Sequence, residues 1–192
     1  MSGLPLPVST AYDPPVTTDP FAILGLEPRW NLSDSAVEQA YLRRIASAHP
    51  DLVSDSGDAN LASDINLAKL QLLDPLLRAE ALLHRLGGSN HGSSKALPPG
   101  FLAEMMALRE EVEGAIADDP DGAQRAAWRA HAERRRAAHL ARLADLFQDA
   151  SGQSRDAIRT ELNAFRYTQR LIEQLDPADR NAATDLSRGA PR

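Results

Sequence analysis

The stretch AVEQAYLRRIASAHPD, residues 36–51, decides the fold. Val37, Tyr41 and Ile45 recur at helical spacing and predict one buried stripe. Ser35 with Glu38 three residues later is expected to form a capping box at the start of that helix. Pro50 fixes φ at about −65° and disfavours helix in the residue before it. The helix is therefore expected to end at His49-Pro50-Asp51, with the imidazole turned to solvent. Beyond a polar loop over 54–60, Leu61, Ile65, Ala68 and Leu72 restore the apolar stripe. Helix, stiff turn and helix make an antiparallel pair. A stiff turn that presents an imidazole beside a carboxylate loses little entropy on binding, which suits docking on a charged partner surface. His, Pro and Asp are also ordinary turn residues, and the tripeptide by itself fits an arbitrary polar loop as well.

Outward from this pair, the punctuation is regular. Asp19-Pro20 reads as cap and first helical residue, with Phe21 and Leu24 on the apolar side and Gly25 as the stop. Asp74-Pro75 repeats the device ahead of Leu76, Ala79, Leu83 and Leu86, and Gly87-Gly88 ends that helix. Residues 89–98, rich in Gly, Ser and Pro, read as a linker. Three longer helical segments follow, over 99–117, 120–150 and 154–175, with the short turns of antiparallel neighbours. Residues 1–18 show neither helical nor strand periodicity and are expected to be a disordered arm. The chain after Asp176-Pro177 reads as a tail, residues 177–192. The expected fold is all-α: a helical hairpin with a following helix over 19–88, then a three-helix bundle over 99–176.

Composition narrows the chemistry. The 192 residues are 43% hydrophobic and 25% charged, within the globular range. Without cysteine there is no disulfide, thiolate metal site or iron–sulfur ligation, and the five histidines show no ligand spacing, so neither metal nor cofactor is expected. A net charge of −6 makes nucleic acid and anionic membranes poor default partners. The apolar runs are too short to span a bilayer. The N-terminus lacks the basic start and apolar core of a signal peptide, so a cytoplasmic protein is expected.

Helical projection then separates core from surface. Phe101, Met105, Leu108, Val112 and Ile116 form one stripe, and Leu102 and Met106 lie about 100° round from it, with Ala103 and Glu110 on the same flank. Two apolar residues beyond a buried face fit an internal contact and a partner site equally well. In the last helix Ile158, Leu162, Phe165 and Ile172 define the core, and Tyr167 falls nearly opposite Ile158, an apolar body with a polar tip of the kind favoured at interfaces. Arg43 projects away from the Val37 stripe, while Arg44 falls at its margin. The run from Arg125 to Arg142, with Arg134-Arg135-Arg136, lacks aromatic interleaving and reads as a solvated helix face rather than a phosphate-binding one. His49 and Asp51 could act as base and orienter, but no nucleophile accompanies them, and an active site is not expected.

The segments DPFAILGL (19–26) and Tyr41, eight residues before His49, resemble a J-domain. The further segments INLAKLQLLDPLLRAEALL (65–83), FLAEMMALREE (101–111) and ELNAFRYTQRL (161–171), in that order and separation, extend the resemblance to the HscB-type co-chaperones of iron–sulfur cluster assembly, over about 19–175. The resemblance implies an adaptor without an active site. Its J-domain, through His49, Pro50, Asp51, Arg43 and Arg44, would stimulate the ATPase of a seventy-kilodalton heat-shock chaperone of the DnaK/HscA type. Its C-terminal domain, through Leu102, Ala103, Met106, Glu110 and Tyr167, would hold an iron–sulfur scaffold of the IscU type. The chain departs from the family pattern in Ser47, Ala48 and Leu52, where basic or aromatic residues are common, in Ala103, where methionine is usual, and in Tyr167, where phenylalanine is usual. A general folding co-chaperone with unfolded clients stands as the alternative.

Overall fold

In the computed structural model, which describes residues 19–47, 58–88, 94–117, 119, 122–148 and 154–175, the chain forms α1 (Pro20–Leu24), α2 (Asp34–Ser47), α3 (Asp58–Leu73), α4 (Pro75–Arg85), α5 (Phe101–Ala117), α6 (Ala123–Gln148) and α7 (Ser154–Gln174). No strand occurs among the described residues. The all-α expectation holds, and the helices fall within a few residues of their predicted spans.

Local chemistry sets the ends. The Asp19 carboxylate accepts from Phe21 N at 3.0 Å, Pro20 opens α1, and Gly25 closes it at φ 66°, a left-handed conformation that favours glycine. Asp74 caps α4 in the same way, accepting from Leu77 N at 2.9 Å ahead of Pro75. The start of α2 differs from the capping box expected at Ser35 and Glu38. Ser33 supplies the cap, its Oγ accepting from Ala36 N at 3.2 Å. Glu38 instead reaches sideways to Lys69 Nζ at 2.9 Å, because a cross-helix cation is available to it. At α6 the helix begins at Ala123 rather than Pro120. Asp119 accepts from Gln124 N at 3.2 Å and Arg125 N at 2.8 Å, and these backbone bonds, Arg125 foremost, hold its carboxyl below the usual range.

The first three helices close on one apolar cluster. Phe21 and Leu24 from α1, Val37 and Ala40 from α2, and Ile65, Ala68 and Leu72 from α3 are buried together. Each large side chain among them contributes roughly 1.5–3 kcal/mol by leaving water. The pairs Glu38–Lys69 and Tyr41 Oη to Asn66 Oδ1 at 3.0 Å show that α2 and α3 run antiparallel, and they tie the pair on its outer side.

α4 has two covered faces. Ala81 and Leu82 complete the cluster around Phe21, whereas Ala79 and Leu83 join Leu143, Ile158, Leu162 and Phe165 in the C-terminal bundle. The sequence showed only the stripe Leu76–Ala79–Leu83–Leu86. Between these faces the Glu80 carboxylate accepts from both terminal nitrogens, Nη1 and Nη2, of Arg159 at 2.7 Å and from Arg166 Nη2 at 2.8 Å. Burial pushes the Glu80 carboxyl up, but the bonds and charges of Arg159 and Arg166 outweigh that, and it stays below the usual carboxylate range. Trp30, from the α1–α2 connection, stacks on Phe147 of α6 with ring centroids 5.5 Å apart. Arg155 adds a bond to the Leu86 carbonyl at 3.1 Å. The N-terminal helices and the bundle therefore meet through an apolar, an ionic and an aromatic contact at once.

Candidate functional site

Two groups of residues came out of the sequence as candidates, and the fold puts them on opposite sides of α4 in the chain order. The first belongs to α2 and the segment after it. His49, Pro50 and Asp51, with Ala48 and Leu52, lie outside the described residues. The helices that flank them are described: α2 ends at Ser47, whose Oγ donates to the Arg44 carbonyl at 2.8 Å, and α3 begins at Asp58. The segment 48–57 thus joins two antiparallel helices. Arg43 is exposed, as its projection predicts. Arg44 is exposed too, but its Nε donates to the Ile23 carbonyl at 2.9 Å, which ties α2 to α1. One of its donors is therefore held by the fold.

Sequence reasoning missed two apolar residues here. Leu42 and Leu70 are each 62% exposed. Leu42 lies about 100° round the helix from Tyr41, and the same projection that singled out Leu102 was available to find it. Tyr41, placed in the stripe, is half-buried and carries Lys69 Nζ 4.4 Å from its ring centroid.

The second group belongs to the C-terminal bundle. Phe101, Met105, Leu108 and Val112 of α5 are buried, while Leu102 and Met106 are 51% and 67% exposed. Ala103 and Glu110 are exposed on the same flank. Ile116, the last residue of the expected core stripe, has no described side chain. On α7, Ile158, Leu162, Phe165 and Ile172 are buried as expected and Tyr167 is 37% exposed. The fold brings Tyr167 to α5: its ring makes a T-shaped contact with Phe101 at 5.9 Å and 75°. Phe101 directly precedes Leu102, so one buried ring supports both the α5 and the α7 part of the face.

Charge borders this face. Glu104 on α5 pairs with Arg135 on α6, and that hydrogen bond holds its carboxyl below the usual range. Arg135 and Arg136, expected on a solvated face, are half-buried, and Arg136 pairs with Glu133 at 3.8 Å. Among the described residues there is no group of three or more His, Asp or Glu able to hold a metal, and no helix is long and apolar enough to cross a membrane. What the arrangement can do is present an apolar, acid-bordered face on fixed helices.

Comparison with known proteins agrees with this architecture. A family profile described as the HSCB C-terminal oligomerisation domain matches residues 97–176. A co-chaperone protein HscB homolog of Bordetella pertussis is 31% identical over 167 residues, covering 83% of this chain and 95% of that protein. A homolog of the same description from Burkholderia thailandensis is 31% identical over 165 residues, covering 81% and 93%. The fold is similar to the chaperone HscB from Vibrio cholerae, with a TM-score of 0.69 at 24% identity over 85% of this chain and 99% of that one. The human co-chaperone protein HscB aligns with a TM-score of 0.68 at 18% identity over 84% and 82%.

Proposed function

The chain belongs to the HscB family of co-chaperones, and from that premise we propose that it couples an iron–sulfur scaffold protein of the IscU type to the ATPase cycle of a seventy-kilodalton chaperone of the DnaK/HscA type. Helices α1–α4 supply the J-domain end and α5–α7 the scaffold end. His49, Pro50 and Asp51 engage the chaperone, with Arg43 steering the approach and Arg44 beside it. Leu102, Ala103, Met106, Glu110 and Tyr167 receive the scaffold. Hydrolysis takes place in the chaperone, and this chain contributes no catalytic residue. The setting is the cytoplasm.

The observation that supports the reading best is the exposure of Leu102 and Met106 on α5 and of Tyr167 on α7, outside the buried rows of those helices. Apolar side chains left uncovered on a packed bundle favour a protein partner. The test is the steady-state ATPase of the chaperone with this chain, with and without scaffold. Stimulation that rises further with the scaffold, and is abolished by His49→Gln, is the expected result. Stimulation by His49→Gln equal to wild type removes the chaperone assignment. Stimulation indifferent to the scaffold but raised by unfolded polypeptides favours the general folding co-chaperone.

A further inference from the structure

His139 of α6 lies in the seam between the two apolar clusters of the C-terminal bundle. One cluster holds Phe101, Met105 and Leu108; the other holds Phe165, Leu143 and Leu162. The imidazole stacks on Phe165, with ring centroids 5.7 Å apart and an interplanar angle of 27°, and meets Phe101 edge-on at 6.5 Å and 69°. Its two nitrogens are both held from α7. Nδ1 lies 2.6 Å from Glu161 Oε1, and Nε2 lies 3.0 Å from Thr168 Oγ1. A carboxylate only accepts, so Nδ1 carries the proton toward Glu161, and Nε2 meets the hydroxyl. Glu161 and Thr168 are themselves buried, and the second carboxylate oxygen of Glu161 is 3.4 Å from Arg142 Nε.

This staple sits where an apolar side chain would fill the space more simply. Two polar contacts fix the plane of the ring, which a Leu or Phe in the same gap could not do. The His139 ring adjoins Phe101, and Phe101 in turn adjoins Tyr167. We propose that His139 is a positioning residue for the partner face: held by Glu161 and Thr168, it orients Phe101 and through it Tyr167, so that the face binds as one rigid surface. The inference rests on the reading of Leu102, Met106 and Tyr167 as the scaffold-binding face. Rigid presentation matters for affinity because side chains that are ordered before contact lose less freedom on binding.

The experiment uses the full chain and reads two quantities. The first is the NMR spectrum of the Tyr167 ring in the free protein, which depends on the neighbouring Phe101 ring and needs no partner. The second is calorimetric titration with an IscU-type scaffold. His139→Ala is expected to move the Tyr167 ring signals and weaken scaffold binding about tenfold, on the order of one lost buried polar contact. Thr168→Val, close in volume, keeps the ring but removes one of its two anchors, and serves if His139→Ala does not fold. It is expected to move the same signals with a smaller loss, about threefold. His139→Gln, which restores a donor and an acceptor without the ring, is expected to keep the thermal midpoint but not the Tyr167 signals.

Unmoved Tyr167 signals, or wild-type scaffold affinity, in His139→Ala or in its stand-in Thr168→Val overturn the proposal. Leu102→Ala with Met106→Ala separates the two ideas. If that pair weakens binding while the His139 variants do not, the positioning role alone fails. If that pair also binds normally, the face itself has been misassigned.

Discussion

Around Phe21 the N-terminal helices close on a single apolar cluster, whereas the C-terminal bundle keeps two, one at Phe101 and one at Phe165, with His139 between them. The N-terminal region ties α2 to α3 on the outside, in Glu38–Lys69 and Tyr41–Asn66, and its one buried arginine, Arg78, bonds backbone carbonyls at Leu72 and Leu32, while its candidate contacts lie on the segment after α2 and on the exposed Arg43 and Arg44. The bundle places its tie inside and its candidate contacts on helix faces. The difference concerns what makes a surface usable. Contacts carried by a short connecting segment need only that segment and a stiff frame. A helix face exists only once packing has decided which stripe is covered, so its quality depends on what lies under it.

The contrast would collapse if the two regions were merely strung together, and Glu80 tests that first. Glu80→Ala leaves Arg159 and Arg166 without their carboxylate in a buried setting and should lower stability by about 3–5 kcal/mol in chemical denaturation. A loss no larger than that of an exposed glutamate would mean that the ionic contact does not help to join the regions. Next in size, replacing Leu102, Met106 and Tyr167 together by Ala should reduce scaffold binding by on the order of 1 kcal/mol or more per residue, with ATPase stimulation in the absence of scaffold retained. A lower melting temperature in that variant would reassign the three to packing.

Acid sharpens the same comparison. The ordinary glutamate value is 4.5 and the folded Glu80 value lies below it. Its contribution is therefore complete above pH 4.5 and is lost as the pH falls through the folded value. Unfolding midpoints of wild type should drop toward those of Glu80→Gln over that acid range, and a constant gap between the two down to the lowest pH would contradict the assignment. The smallest effect belongs to Arg43. Arg43→Glu should change stability by no more than about 0.5 kcal/mol while slowing chaperone association at low ionic strength, a difference that shrinks as salt is added. Identical association rates at low salt would leave Arg43 a solvated residue and no more.

Much of this was readable from the sequence where the cause is local. Asp19-Pro20 and Asp74-Pro75 announce helix starts because cap and proline act within one turn, and the buried rows from Phe101 to Val112 and from Ile158 to Ile172 follow from the helical period. The exposure of Leu102, Met106 and Tyr167 followed from the same period. What escaped depends on distant partners. Glu80 meets arginines 79 and 86 positions away, and no pattern near it marks a buried charge. Glu38 fitted a capping box until Lys69, on another helix, competed for it. The second buried face of α4 escaped because Ala81 and Leu82 fall outside a single stripe, and only a helix covered from both sides buries them.

That two-sided helix bears on how the molecule can be divided. A cut anywhere between α4 and α5 looks clean on paper, yet it would strip α4 from the bundle and uncover the patch formed by Leu143, Ile158, Leu162 and Phe165. A fragment beginning at residue 97 would therefore tend to self-associate through that patch. The complementary fragment would carry Ala79 and Leu83 facing water, next to a carboxylate that has lost both cations. Mixed together, the two pieces should find each other again, with α4 acting as the plug one half offers to the other.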